Sequence, residues 1–334
     1  MSAQFMRRSI RISVRLTEEE HRLLKEKMAR IGVTNQEAFL RKMALDGLVI
    51  RLDLPELKQM ISLLRYTSNN INQIAKRLNE SGRLELSEET AQLIEKSIEL
   101  TKKYDGADIS AGALTALWNV TGEEPRVPEQ SEIQTALSAV GYENIKISGN
   151  ECVLENGTQI DVGCDGKGFA LDEVKKLLDS EKADCAVVSF GSSTLLYGQK
   201  PDKTDFKVAV TDPFDNDNTC LSFTSGGGFV STSGGYERYF EENGVTYHHI
   251  IDPKTGYPSD SDLTSVTIVC ADGTKADALS TSFFVMGLQK AESFYENTDL
   301  DFDVILLTKD NQIYISEGIA QNFTSDYTVN VLKK

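Results

Sequence analysis

The sequence predicts an α+β chain of two units, and three observations carry that reading. Apolar residues alternate with period two in some stretches and recur every three to four residues in others, which marks half-buried strands and amphipathic helices. Charge is divided unevenly: residues 1–85 hold 16 Lys/Arg against 10 Asp/Glu, and the remainder holds 19 against 41, within a net charge of −16 over 334 residues. Gly82 closes one set of elements, and Ser87-Glu88-Glu89 opens another with acids in a first helical turn. The expected units are therefore 1–84 and 85–334. There is no low-complexity linker and no internal repeat, and 334 residues suffice for two cores.

In the front unit, Ser9–Leu16 alternates cleanly. Ile10, Ile12, Val14 and Leu16 fall on one side, and Arg11, Ser13 and Arg15 on the other. Thr17 with Glu20 forms a capping box for a helix over about 17–31, which Gly32 ends. Thr34 with Glu37 forms a second for a helix over about 35–46. One short strand cannot make a sheet, and pairing with its own copy is the economical solution. The pattern resembles the ribbon-helix-helix DNA-binding fold, in which a two-stranded ribbon enters the major groove and helix N-termini meet phosphates. That resemblance implies a homodimer paired through the N-terminal strand. Arg11, Ser13 and Arg15 would face bases, and Thr34 and Asn35 would grip a phosphate. An ordinary amphipathic edge strand with solvated arginines has the same alternation.

Asp53 then caps a helix with Pro55 in its first turn. The run Asn69-Asn70-Ile71-Asn72-Gln73-Ile74-Ala75 after such a unit resembles MobC-like accessory proteins of plasmid mobilisation relaxosomes, over residues 7–80. A basic front on an acidic chain agrees with polyanion affinity confined to that end.

In the back unit, an amphipathic helix is expected over Ser87–Tyr104, a second over about 129–140 with Gly141 as its stop, and short strands at 144–148 and 151–154. Asp161–Asp172 (DVGCDGKGFALD) is a glycine-spaced strand end running into a helix. It can cradle an anion with backbone N–H groups and Lys167, or serve only as a turn. Ser225-Gly226-Gly227-Gly228 lacks a following Lys-Ser/Thr and reads as a turn before a strand at 229–233. SVTIVC is a strand, and KADALSTSFFVMG has helical periodicity. Within it, Asp277 and Thr281 sit one turn apart on one face. Hard cations such as Mg²⁺ take oxygen ligands of this kind. A solvated first-turn acid beside a hydroxyl bonded to its own helix has the same spacing. Asp301–Lys334 alternates like two or three closing strands.

Three blocks in this order resemble the ApbE family of FAD:protein FMN transferases. They are Asp161–Asp172, Ser231–Phe240 (STSGGYERYF), and His249–Pro258 (HIIDPKTGYP) followed by Ala276-Asp277-Ala278-Leu279-Ser280-Thr281. The resemblance covers about 87–330 and lacks a counterpart to the family's N-terminal region. It implies FAD as substrate, Mg²⁺, and an acceptor protein carrying a Ser/Thr flavinylation site. By the same resemblance Gly166 (through its carbonyl), Asp277 and Thr281 would hold the metal. Lys167, Gly168, Ser233, Gly234, Tyr236, His249 and Asp252 would line the cofactor, and His249 would be the base, with His248 as the other candidate.

This chain departs from the family at Cys164-Asp165-Gly166, where Gly-Ile-Ala is usual, and at Ser189, Ser192 and Ser193. Three readings follow from the combination: an active transferase with a fused DNA-binding module, a mobilisation accessory protein carrying an inactive remnant, or a chance fusion of two fragments with neither half fully competent. The five cysteines are odd in number and widely spaced, which suits free thiols in a reducing compartment. A basic N-terminus without an apolar signal core, and no run of membrane-spanning length, place the expected location in the cytoplasm, with no membrane partner.

Overall fold

The computed structural model describes residues 17–30, 35–36, 39–40 and 72–334. The chain divides into two compact units, Met1–Ile61 and Ser62–Lys334. In the first, α1 (Glu18–Arg30) matches the helix expected over 17–31. It starts with His21 N–H donating to the Thr17 carbonyl at 3.0 Å and carries an Arg22–Glu26 ion pair at 2.7 Å one turn apart. Residues 36, 39 and 40 are helical, Asn35 is exposed, and Phe39 N–H donates to the Asn35 carbonyl. The strand at Ser9–Leu16 lies outside the described residues, and with it Arg11, Ser13 and Arg15. So do Thr34, the Asp53-capped helix and Asn69–Ile71.

The second unit starts ahead of the 84/85 boundary expected from the sequence. A helix over 72–81, α2, sends Ala75 and Leu78 into the core that also buries Leu93, Ile94, Cys152 and Phe169. β1 (Arg83–Glu85) follows. Then comes α3 (Glu88–Lys103), whose N-cap Ser87 hydroxyl accepts from Thr90 N–H and whose first turn carries Glu88 and Glu89. α4 (Gly112–Trp118) and α5 (Gln130–Ser138) precede β2 (Ile145–Ser148) and β3 (Glu151–Leu154), and the small sheet runs β1-β3-β2, antiparallel.

Asn79 of α2 ties this layer to the chain that enters the glycine-spaced block. Its amide donates to the Ile160 carbonyl at 2.9 Å, and its oxygen accepts from Ile160 N–H at 2.8 Å. Gly112 N–H to the Gln159 carbonyl and Asp161 N–H to the Ile109 carbonyl hold the other side. A side-chain amide thus stands in for a neighbouring strand.

α6 (Gly166–Ser180) leads to β4 (Cys185–Phe190), β5 (Ser193–Gly198), β6 (Phe206–Asp212), β7 (Asp215–Ser225), β8 (Gly228–Gly234) and the hairpin β9 (Tyr239–Glu242) with β10 (Val245–His248). β11 (Leu263–Cys270), α7 (Gly273–Met286), α8 (Leu288–Glu296), β12 (Asp303–Thr308), β13 (Gln312–Ser316), α9 (Glu317–Ala320), β14 (Phe323–Thr324) and β15 (Thr328–Leu332) complete the chain. The main sheet has seven strands in the order β15-β13-β12-β11-β8-β5-β4, antiparallel except for β13 with β15. β14-β7-β6 form a separate three-stranded sheet, and β9 and β10 a two-stranded one. The Ser225–Gly228 glycines make the turn into β8, as expected. All five cysteines are free, and Cys152, Cys220 and Cys270 are buried.

α7 is buried along most of its length against β8 and β11, and it crosses α6 at very short range. A Cβ on Gly168 would lie 2.0 Å from the Gly273 carbonyl oxygen and 2.8 Å from Thr274 N, so only glycine lets the two helix starts meet. Gly168→Ala is therefore expected to cost about 2–4 kcal/mol, because backbone atoms on both sides must move. Urea unfolding measures this, and a loss below about 0.5 kcal/mol would show the crossing to be loose.

Candidate active site

The site is built where the N-termini of α6 and α7 cross. The Asp172 carboxylate accepts from Gly273 N–H at 2.7 Å, Thr274 N–H at 3.0 Å and the Thr274 hydroxyl at 2.5 Å. Asp272 caps α7 by accepting from Lys275 N–H. Lys96 of α3 bridges the two acids, at 3.3 Å from Asp172 and 3.0 Å from Asp272. Orphan N–H groups at the start of α7 are thus satisfied by side chains.

One turn further along, Asp277 is 2% exposed. Its Oδ2 accepts from Gly168 N–H at 2.7 Å and its Oδ1 from the Ser193 hydroxyl at 2.6 Å, with Lys167 Nζ 3.9 Å away. Thr281, one turn on, contacts the Ser233 hydroxyl at 3.2 Å, and Ser233 also meets Ser280 at 2.8 Å. Helix spacing therefore places the carboxylate and hydroxyl as the sequence suggests, and Ser233 of β8 joins them from the sheet. Asp277 still has lone pairs beyond its two donors, and with the Thr281 hydroxyl one turn on it offers hard oxygen donors of the kind that fit Mg²⁺. Among the described residues no cluster of three or more His, Cys, Asp or Glu could cage a metal. An ion here would keep water or phosphate in its shell, as Mg²⁺ does.

Asp165 is the unexpected charge. It is 1% exposed, its Oδ1 has no hydrogen-bond partner, and it stands at the N-cap of α6 without capping it. Burial raises its carboxyl to about 7, and Asp277 and Asp161 add to the rise, while Ser97 opposes it. The folded state therefore keeps a proton that the unfolded chain has released. Stability is undiminished below pH 3.8 and is lost as pH rises to about 7. Asp165→Asn is accordingly expected to raise Tm by roughly 5 °C at pH 8, with the gain vanishing near pH 4. Calorimetry without added divalent cation tests this, and an equal shift at both pH values would contradict it.

The two histidines occupy different environments. His248 donates from Nε2 to the Ser259 carbonyl at 3.0 Å, and its Nδ1 accepts from Ile250 N–H at 3.3 Å, so both ring nitrogens are used. Its ring lies edge-on to Phe284. His249 Nδ1 lies 3.2 Å from the Arg238 carbonyl, and its own N–H donates to that oxygen at 3.1 Å. A carbonyl only accepts, so Nδ1 carries the proton and Nε2 keeps its lone pair. Nε2 has no hydrogen-bond partner among the described residues. Burial lowers the His249 imidazole to about 4, with the nearby Arg238 and Lys167 charges reinforcing the shift, so the ring is neutral at pH 7.

A groove of about 530 Å³ adjoins this centre, lined by Ser192, Thr194, Val208, Thr232, Tyr236 and Glu237 among others. Burial raises the Glu237 carboxyl, and Lys167 and Ser192 oppose that rise. Gly234 leaves space for Tyr236, whose ring would lie 2.3 Å from a Cβ at that position. Asp252 acts within its own turn, where its Oδ1 accepts from Lys254 N–H and its backbone pairs with Tyr257 and Gly256. Trp118 donates to the Gly256 carbonyl at 2.7 Å and fastens this turn to α4.

Of the residues singled out in the sequence, Lys167, Gly168, Ser233, Asp277 and Thr281 converge directly. Gly166 begins the same helix, and Gly234, Tyr236 and His249 follow from the adjoining strand and hairpin. Asp252 holds the neighbouring turn. Sequence reasoning passed over Ser193 as a ligand of Asp277. Its signal was a hydroxyl standing where the family pattern has another hydrogen-bonding side chain.

The ApbE family model matches residues 39–306, starting well ahead of the boundary at 84/85. The FAD:protein FMN transferase of Treponema pallidum is 31% identical over 245 residues, covering 68% of this chain and 67% of that one. The Escherichia coli K12 protein of the same name is 29% identical over 250 residues, covering 71% of each. Among solved structures, the ApbE protein of Thermotoga maritima superposes with a TM-score of 0.73 at 31% identity, over 81% of this chain and 93% of that one. The Vibrio cholerae flavin transferase ApbE shares the fold, with a TM-score of 0.65 at 24% identity over 82% and 87%.

Proposed function

The chain belongs to the ApbE family, and on that premise we propose that it transfers the FMN half of FAD to a serine or threonine hydroxyl of a partner protein. The observation that carries this is the convergence of Lys167, Gly168, Asp277, Thr281 and Ser233 at the α6–α7 crossing. Lys167 and the N-terminal end of α6 receive the pyrophosphate. Asp277, Thr281 and the Gly166 carbonyl would hold Mg²⁺, which when bound would supply charge neutralisation at the phosphates. The groove beside Tyr236 and Glu237 receives part of the dinucleotide.

His249 Nε2 accepts the proton of the acceptor hydroxyl as its oxygen bonds to the FMN-side phosphorus. The P–O bond to AMP breaks, and AMP leaves with the electron pair. The Arg238 carbonyl keeps the imidazole in the tautomer that can accept. His248, with both nitrogens engaged, holds the turn.

The basic front is proposed to add DNA binding as a dimer through Arg11, Ser13, Arg15, Thr34 and Asn35, in the cytoplasm. No described helix is long and apolar enough to cross a membrane. The test is FMN transfer from FAD to a purified acceptor domain bearing one target threonine, with and without Mg²⁺. Metal-dependent covalent flavin fluorescence on the acceptor is the expected result. No transfer, with salt-sensitive DNA binding retained, would make the front the functional half and overturn the transferase reading.

A further inference from the structure

Two reciprocal ties join α6 to α7, one helical turn apart. Asp172 of α6 accepts from the Gly273 and Thr274 N–H groups that open α7, and Asp277 of α7 accepts from Gly168 N–H at the start of α6. Gly168 and Asp172 are four residues apart, as are Gly273 and Asp277, so a slide or rotation of either helix disturbs both ties together. No side chain cushions the crossing, where a Cβ on Gly168 would stand 2.0 Å from the Gly273 carbonyl oxygen. Lys167 and Asp277 belong to the second tie. The first is clamped from outside by α3, whose half-buried Lys96 places Nζ 3.3 Å from Asp172 and 3.0 Å from Asp272, the N-cap of α7. Among the described residues no other cation pairs with either acid. α3 meets both helices elsewhere too. Its Ser97 opposes the rise of the buried Asp165 carboxyl at the start of α6, and Gly106, just past its end, packs so closely on α7 that a Cβ there would lie 2.7 Å from Val285.

We propose that Lys96 is a positioning residue for the transfer: by clamping Asp172 and Asp272 it fixes α6 against α7, and so holds Lys167 and Asp277 at the spacing that the pyrophosphate and its metal need. The inference rests on the transferase reading. Lys96 has no hydrogen bond or ion pair with any residue assigned to FAD or the metal, so it acts through the two acids. Without its charge, one carboxylate from each helix faces the other across the start of α7, and like charges repel. Moving the helix starts apart relieves that repulsion and draws Gly168 N–H away from Asp277. Phosphoryl transfer depends on positioning, and a displacement of about 1 Å costs about 10²-fold in rate. Loss of a group that orients a metal ligand costs about 10–100-fold in affinity or activity.

The test compares Lys96→Met, which keeps an apolar stem and removes the charge, with Lys96→Arg, which restores a cation. The full chain is titrated with Mn²⁺ by electron paramagnetic resonance, unfolded in urea, and assayed for FMN transfer from FAD to a purified acceptor domain. In Lys96→Met, kcat should fall about 10–100-fold and Mn²⁺ should bind about five- to tenfold more weakly, with KM for the acceptor unchanged. Lys96→Arg should recover most of both losses. A lower urea midpoint with kcat and Mn²⁺ affinity intact would make Lys96 a stabilising residue only and overturn the proposal, as would a rise in KM alone. If Lys96→Met does not fold, Asp272→Asn decides, because it keeps an N-cap acceptor and removes one half of the clamp. Smaller falls in kcat and Mn²⁺ affinity are expected there, and no change in either would overturn the proposal. Absence of transfer by wild type would defeat the transferase reading itself, and Mn²⁺ affinity in the variants would then judge the clamp.

Discussion

Asp277→Ala is expected to lower metal-dependent FMN transfer by about 10³-fold or more, the largest effect of any single substitution in the site. The carboxylate has two jobs that alanine removes together. It is the one acidic side chain on α7 and, on the proposed reading, the metal's charged ligand, and it accepts from Gly168 N–H and the Ser193 hydroxyl. Losing that acceptor leaves two buried donors unpaired, at about 1–3 kcal/mol each, so alanine also loosens the α6–α7 crossing. Asp277→Asn separates the jobs: it keeps the volume and one accepting oxygen but removes the charge that a divalent cation needs. Mn²⁺ titration followed by electron paramagnetic resonance, alongside urea unfolding, resolves them. The asparagine variant should fold with near wild-type stability, bind Mn²⁺ at least about tenfold more weakly and transfer little FMN. Full Mn²⁺ affinity in that variant would reduce Asp277 to a brace between two helices.

His249→Ala is expected to lower transfer by about 10²–10⁴-fold while leaving FAD binding largely in place. The imidazole is neutral at pH 7 and has one free nitrogen lone pair, so its protonation limits activity only well below the ordinary histidine range. The acid limb of kcat/KM against pH should therefore fall near pH 4 rather than 6.5. It should disappear in the alanine variant.

Stability has the matching sign. The unfolded chain takes up a proton near pH 6.5 that the folded site refuses until about 4, so stability is present above 6.5 and declines as pH falls toward 4. Burial also holds the His248 imidazole below its usual value. With both nitrogens committed, His248→Ala should reduce stability and leave the acid limb where it is. An unchanged rate in His249→Ala, or loss of the limb in His248→Ala, would exchange their roles.

Much of the second unit was legible because its signals are local. The Ser87 cap, the stop before Gly141, the glycine turn into β8 and the helical period of KADALSTSFFVMG all depend on neighbours within a turn. The HIIDPKTGYP block reads as a turn for the same reason, since Asp252, Lys254, Gly256 and Tyr257 bond to one another. The boundary was misplaced because Gly82 and a fresh cap look like the end of a unit. Asn79, however, reaches Ile160, 81 residues away, and Ala75 and Leu78 share a core with Leu93. Local signals record where a helix stops and leave open which core its apolar face joins.

By itself the sequence determined the element types, the family blocks and the one-turn pairing of Asp277 with Thr281, because helical period alone brings those side chains together. Only the tertiary structure decided which histidine keeps a free nitrogen, that Asp165 is buried without a full set of partners, and that Ser193 braces Asp277 across 84 residues. Each of those facts depends on a carbonyl, a hydroxyl or an absence supplied by a distant segment. Hydrogen-bond satisfaction in a packed interior is a property of the whole arrangement, and no stretch of chain carries it alone.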